Sequence, residues 1–197
     1  GLPTALNQYA PGRRPTIDNR EWESGALYSP VPDDLINAWD EKRLYFECET
    51  CGFAKTENSG TRGGRVDCPA CGTEDSLGPA MNWIVPPGFA PPHYLPPDTS
   101  PDDNPSLSYA TRAKLRAPSK PPESAVWEPV TDRIRSYFNR DNLLVSNSGP
   151  GRDGYSLCTS CGLIEPTTLG LGTTAAPHRK PYPTKRQPTC SGYSTDG

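Results

Sequence analysis

The chain has 197 residues, with 20 Lys and Arg against 23 Asp and Glu, a net charge of -3 and a pI near 5.4, which excludes a uniformly basic surface of the kind that coats nucleic acid. Only 33% of the residues are hydrophobic while proline and glycine number 25 and 18, which excludes a large apolar core and makes much of the backbone irregular. No apolar run is long enough to span a bilayer and no signal-peptide pattern opens the chain, so a soluble protein with no membrane partner is expected.

In chain order, residues 1–30 read as extended and loop-rich, with Tyr9-Ala10-Pro11-Gly12 as a turn and 21–27 as a short strand. A helix is predicted over 33–42, capped by Asp33 or Asp34, with Leu35, Ile36 and Trp39 on one face. Leu44-Tyr45-Phe46-Glu47-Cys48 is a strand that delivers Cys48-Glu49-Thr50-Cys51. The polar stretch 56–64 is a loop, and Arg65-Val66-Asp67-Cys68 returns as a strand into Cys68-Pro69-Ala70-Cys71, the layout of a zinc ribbon. A strand over 82–85 ends at Pro86-Pro87, and proline then dominates to residue 122, predicting an extended tether.

Beyond the tether, 125–128 and 132–138 alternate like strands, although 133–144 also carries apolar residues at helical spacing. Strands are preferred because turn sequences at 139–142 and 149–154 divide the region and lead through Tyr155-Ser156-Leu157 into Cys158. Trp83, Trp127, Tyr137 and Phe138 read as core aromatics. The expected fold is mainly β and irregular with little helix. It has three parts: an extended segment and four-cysteine zinc ribbon over 1–85, the tether over 86–122, and a β-meander with a second zinc module over 123–197.

Metal ligation can replace the missing core, since a structural zinc contributes on the order of 10 kcal/mol to folding in small peptides. The pairs Cys48/Cys51 and Cys68/Cys71 lie sixteen residues apart and can offer four thiolates to one tetrahedral zinc. Each pair is followed by glycine, Gly52 or Gly72, which permits the positive φ of the turn that points amide N–H groups at the sulfurs. The alternative is two local disulfides. Downstream, Cys158-Thr159-Ser160-Cys161-Gly162 repeats the pattern, and His178 and Cys190 complete a second set of four. The competing reading leaves His178 in a basic loop and Cys190 as a spare thiol. Seven cysteines fit two closed sites, four in one and three plus a histidine in the other, and fit a disulfide framework poorly, so a reducing cytoplasm is the expected home and two zinc ions the expected cofactors.

Closed sites of this composition are structural, because a catalytic zinc keeps a position open for water. A deaminase is excluded by the absence of His-x-Glu, and neither a phosphate-binding loop nor a Gly-x-Ser-x-Gly elbow is present. Residues 170–175, Gly-Leu-Gly-Thr-Thr-Ala, match a dinucleotide fingerprint but lack the strand-turn-helix unit that it needs. Basic residues gather in three stretches: Arg13, Arg14 and Arg20; Arg112, Lys114, Arg116 and Lys120; and Arg179, Lys180, Lys185 and Arg186. Tyr109 and Tyr182 lie within two of them, a mixture that suits a phosphate backbone beside a stackable base, while solvated surface charge is the plainer reading.

Five segments then carry a resemblance: Leu6-Asn7-Gln8-Tyr9-Ala10-Pro11-Gly12, the ribbon, Val85-Pro86-Pro87-Gly88-Phe89-Ala90, Tyr109-Ala110-Thr111-Arg112-Ala113-Lys114-Leu115-Arg116-Ala117-Pro118, and Gly154-Tyr155-Ser156-Leu157-Cys158-Thr159-Ser160-Cys161-Gly162. In this order they resemble the non-motor, zinc-bearing region of large bacterial superfamily 2 DNA helicases, those of the DISARM anti-phage system and the mitomycin-repair type. The resemblance supports Cys158, Cys161, His178 and Cys190 as ligands of the cysteine-rich module that ends such helicases. It implies a parent protein that moves along or unwinds DNA with ATP, although the motor is missing from this chain, which by itself is expected not to be an enzyme. Two functions follow. The chain contacts DNA through Arg112, Lys114, Arg116, Arg179 and Lys180 while bracing the motor, or it is a scaffold that docks on the motor or a partner subunit without touching DNA.

Overall fold

A computed structural model of the chain describes residues 1–31, 33–93, 114–115, 126–136, 143–167, 177–192 and 194–196. Two α-helices of seven residues each occur among them, α1 (Leu2–Gln8) and α2 (Asp34–Asp40). The strands of the first half are β1 (Thr16–Ile17), β2 (Arg20–Glu21), β3 (Ala26–Leu27), β4 (Arg43–Glu47), β5 (Ala54–Glu57), β6 (Met81–Trp83) and β7 (Phe89–Ala90). The second half adds β8 (Lys114–Leu115), β9 (Glu128–Thr131), β10 (Ile134–Ser136), β11 (Leu143–Leu144), β12 (Tyr155–Cys158), β13 (Ile164–Pro166), β14 (His178–Arg179), β15 (Thr189–Cys190) and β16 (Ser194–Asp196). The chain is thus mainly β and irregular, as its composition demands.

Two compact units form, each from separated stretches of chain. One comprises Gly1–Arg43, Met81–Thr111 and Val145–Gly197, and the other Leu44–Ala80 and Arg112–Leu144.

The second unit contains the ribbon. Strands β4 and β5 pair antiparallel, with Leu44 opposite Glu57 and Glu47 opposite Ala54. In β5 burial alternates residue by residue, so Ala54 and Thr56 face inward while Lys55 lies over the Phe46 ring at 5.2 Å. Leu44, Phe46, Cys48, Cys68, Leu77 and Ala80 form the small core, and Phe53 packs on it. The returning strand expected over 65–68 is instead a single bridge, because the segment 76–78 takes the inner place: Val66 and Leu77 exchange both backbone hydrogen bonds, and the Gly78 N–H donates to the Glu47 carbonyl. Hairpin β9–β10 of the same unit runs antiparallel with a bulge between Ile134 and Arg135. Trp127, expected in the core, is 42% exposed beneath the Arg135 guanidinium, 5.7 Å from its ring centre. Tyr137 and Phe138 lie outside the described residues.

In the first unit, α1 replaces the extended start expected for residues 1–8. Its Pro3 stands in the first turn, where a helix has no partner for the missing N–H. Leu35 and Trp39 of α2 pack against Leu27, Leu157 and Ile164, while Ile36 faces outward. Strand β12 is the middle of a three-stranded sheet in the order β13–β12–β16. The strand expected over 21–27 is broken into β2 and β3, and β3 pairs antiparallel with β7, so the proline-rich stretch begins as a paired strand. Its residues 94–113 and 116–122 lie outside the described residues.

Candidate metal centres

Three turns of the chain share one hydrogen-bond pattern. The N–H of the first cysteine donates to the carbonyl five residues on, and the N–H of the following glycine donates back to the first cysteine's carbonyl: Cys48 to Phe53 and Gly52 to Cys48, Cys68 to Thr73 and Gly72 to Cys68, Cys158 to Leu163 and Gly162 to Cys158, all at 2.8–3.0 Å. The three glycines have φ of 72°, 73° and 78°, which a side chain would strain. This local geometry is why Cys-x-x-Cys-Gly reads so clearly from sequence.

The first two turns meet in the ribbon. Cys48 Sγ lies 3.8 Å from Cys71 Sγ, and Cys51 Sγ lies 3.6 Å from Cys68 Sγ. Zinc–sulfur bonds of about 2.3 Å imply tetrahedral edges of about 3.8 Å, so these spacings match a tetrahedron of thiolates and not a pair of disulfides. All seven cysteines are free thiols. Cys48 and Cys68 are buried, while Cys51 and Cys71 are exposed.

Two hydroxyls that sequence reading passed over lie against the sulfurs. Ser76 Oγ reaches both Cys48 Sγ at 3.3 Å and the Thr73 carbonyl at 2.9 Å, and Thr73 Oγ1 is 3.3 Å from Cys71 Sγ. Turned to the sulfur, the Ser76 hydroxyl favours the thiolate and lowers Cys48 to about 6, and Thr73, through its side chain and its backbone N–H, lowers Cys71. At Cys51 the Phe53 amide also favours the thiolate, but desolvation and the neighbouring sulfurs outweigh it and push the thiol up to about 12. Four thiolates held this closely need a cation between them.

The second centre joins the third turn to a hairpin. β14 and β15 pair so that His178 stands directly opposite Cys190, and the Lys180 N–H donates to the Pro188 carbonyl to continue the ladder. Cys158 Sγ is 3.7 Å from Cys190 Sγ, and Cys161 Sγ is 3.2 Å from His178 Nε2. Cys158, His178 and Cys190 are buried and Cys161 is partly so; burial raises the Cys161 thiol, which the neighbouring sulfurs reinforce. The two sets, Cys48/Cys51/Cys68/Cys71 and Cys158/Cys161/His178/Cys190, each hold their ligand atoms within 4.8 Å of one another and fit two zinc ions with no position left open.

The wall of the second centre comes from far along the chain. Leu27 donates its N–H to the Gly162 carbonyl, Ile164 donates to the Gly25 carbonyl, and Ala26 bridges Leu163. A β-carbon on Gly162 would stand 2.5 Å from the Leu27 carbonyl oxygen, whereas one on Gly52 or Gly72 would meet nothing within 4 Å. No spacing in the sequence announces this role for residues 25–27.

Of the cations considered for DNA contact, Arg179 is exposed and Lys180 partly so, on the hairpin that ends in two metal ligands; the Lys180 Nζ donates to Gln187 Oε1 at 3.3 Å. Lys185 and Arg186 are exposed on the same hairpin. Lys114 lies on β8, paired with β11, and Arg112 and Arg116 fall outside the described residues. No helix among the described residues is long and apolar enough to cross a membrane.

Fold and sites define a class: a mainly β and irregular chain with two clusters of ligands for structural zinc. The chain is similar to Druantia protein DruE of Escherichia coli (strain UMEA 4076-1), with 24% identity over 199 residues that cover 95% of the chain and 10% of that protein. No family model matches the chain. No solved structure matches it.

Proposed function

We propose that this chain is a zinc-stapled accessory region of a large DNA helicase of anti-phage defence or DNA repair, which braces the motor and contacts DNA. The observation that carries the reading is the hairpin of the second centre. His178 and Cys190 hold both its ends at the metal, and Arg179, Lys185 and Arg186 are exposed along it. A metal-anchored hairpin presents cations to phosphates without ordering a free loop first. The helicase-like segments of the sequence support the reading, as does similarity to a protein of which the chain spans only 10%. Arg112, Lys114 and Arg116 would add a second contact. Both metal sites are closed, so the chain is assigned no catalytic step of its own.

A second reading has its own observation. Val126, Val130 and Ile134 are 79%, 61% and 58% exposed around hairpin β9–β10, an apolar surface that favours a scaffold docking on the motor or a partner subunit. Fluorescence anisotropy of labelled single- and double-stranded DNA with the zinc-loaded chain, at two salt concentrations, separates the two. DNA binding predicts a salt-sensitive affinity that weakens in Arg179→Ala/Lys180→Ala and Arg112→Ala/Arg116→Ala, with the log–log salt slope falling by about 0.9 on duplex, or about 0.7 on single strands, for each phosphate that is no longer neutralised. No binding at low salt would leave the scaffold.

A further inference from the structure

A groove of about 630 Å³ opens in the first unit, and no metal ligand lines it. Tyr9, Trp22 and Phe89 supply aromatic walls, Ile17 adds apolar surface, and Asp18 and Arg20 stand at the rim. That volume lies within the range of about 300–1,000 Å³ common to small-ligand pockets.

The groove is built before anything enters it. Asp18 and Asn19 both have positive φ, 53° and 58°, and form the two-residue turn that matches the twist of β1 and β2. Ile17 and Arg20 are therefore direct cross-strand partners and share one face. The Trp22 N–H donates to the Pro15 carbonyl at 3.0 Å, closing the base of the hairpin. Ser24 ties α1 to it, since its hydroxyl donates to the Tyr9 carbonyl at 2.7 Å and its carbonyl accepts from the Gly12 N–H at 2.7 Å. Phe89 is set by the pairing of β7 with β3.

The geometry points to an occupant: an unpaired nucleotide of single-stranded DNA, its base against Trp22, Tyr9 and Phe89 and its phosphate on Arg20. Base faces are free to stack on aromatic rings only where the strand is unpaired. Arg14 is engaged by Glu23 at 3.4 Å, whereas Arg20 is exposed and has no ion pair among the described residues. Asp18 can only accept hydrogen bonds, which suits a base edge bearing an amino group such as cytosine. The cations of the Arg179 hairpin do not line this groove, although Tyr182 of that hairpin donates to the Pro91 carbonyl in its wall at 3.0 Å, and the inference rests on the DNA reading above.

The test is anisotropy of a labelled oligo-dC strand, and of a duplex, with the full zinc-loaded chain in wild-type form and as Arg20→Glu, Trp22→Ala and Arg179→Ala/Lys180→Ala. Arg20→Glu alters an exposed side chain and guards against misfolding of Trp22→Ala; zinc content is checked for each. The expected result is a loss of about tenfold or more in single-strand affinity for both groove variants, with duplex affinity unchanged. If both groove variants bind the single strand like wild type while Arg179→Ala/Lys180→Ala loses it, the groove site is overturned and the DNA reading stands. If wild type binds neither DNA at low salt, both fall. A labelled proline-rich peptide that binds through Trp22 independently of Arg20 would show the groove to be a peptide site and overturn the assignment.

Discussion

The two metal centres use the same turn and bury it differently. In the ribbon, all four ligands come from two such turns between Cys48 and Cys71, and two of the sulfurs stay exposed. In the centre of three cysteines and His178, one turn is completed by a hairpin, three of the four ligands are buried, and residues 25–27 form a wall. The comparison teaches that a ligand set closed locally can stand at a surface, while one gathered from distant segments must be enclosed by them. Loss of metal should therefore stay local in the first case and spread in the second.

The largest effect expected is from Cys158→Ser. Zinc should fall from two ions per chain to one, with the loss of metal-linked folding on the order of 10 kcal/mol. Hydrogen exchange should then rise in β3 and β12–β16 together. Cys51→Ser should also cost one zinc, with faster exchange confined to β4, β5 and residues 66–78. Metal analysis showing two zincs in either variant would sink that ligand assignment.

Next are the glycines. Gly52→Ala and Gly72→Ala meet open space and should lose only the positive-φ preference, about 1–2 kcal/mol. Gly162→Ala adds a clash with the Leu27 carbonyl and should cost about 2–5 kcal/mol in denaturant unfolding of the zinc-loaded chain. Equal costs at all three positions would mean that β3 does not wall the second centre.

A kinetic difference should follow. Exposed Cys51 and Cys71 offer a thiol reagent direct access, so the ribbon zinc should appear in a chromophoric chelator about tenfold or more ahead of the second. Mass mapping of the first modified cysteines would show an inverted order if exposure is not what governs release.

The smallest effect belongs to Glu49 and Arg65, 2.8 Å apart on the ribbon surface, where Arg65 lowers the Glu49 carboxyl below its usual range. The folded pKa is depressed, so the pair stabilises above the ordinary carboxylate range and is lost as pH falls through the lowered value. Acid also releases zinc, because freed thiols take up protons. The contribution is therefore read at neutral pH, where Arg65→Ala should lower the ribbon's Tm slightly at low salt and not at all at high salt.

Much of this was legible in the sequence. The metal ligands could be named because Cys-x-x-Cys-Gly specifies its own backbone: the amide pattern and the positive φ are contained within six residues. The mainly β, irregular character followed from apolar content and proline, since a chain poor in burial must close its folds by other means. Helix α1 escaped notice because its seven residues carry no buried face. Trp127 was misplaced because an aromatic ring reads as core unless its neighbours are known, and here Arg135 covers it in the open.

Residue types and short spacings thus determined which side chains gather as candidate metal ligands, because the chemistry of thiolates and the geometry of one turn are local. Only the tertiary structure decided that Leu77 would sit between the two ribbon turns, that β3 would wall the second centre, and that β7 would complete the aromatic groove. Those choices rest on backbone hydrogen bonds between segments far apart in the chain, and such pairing leaves no periodic mark on either segment alone.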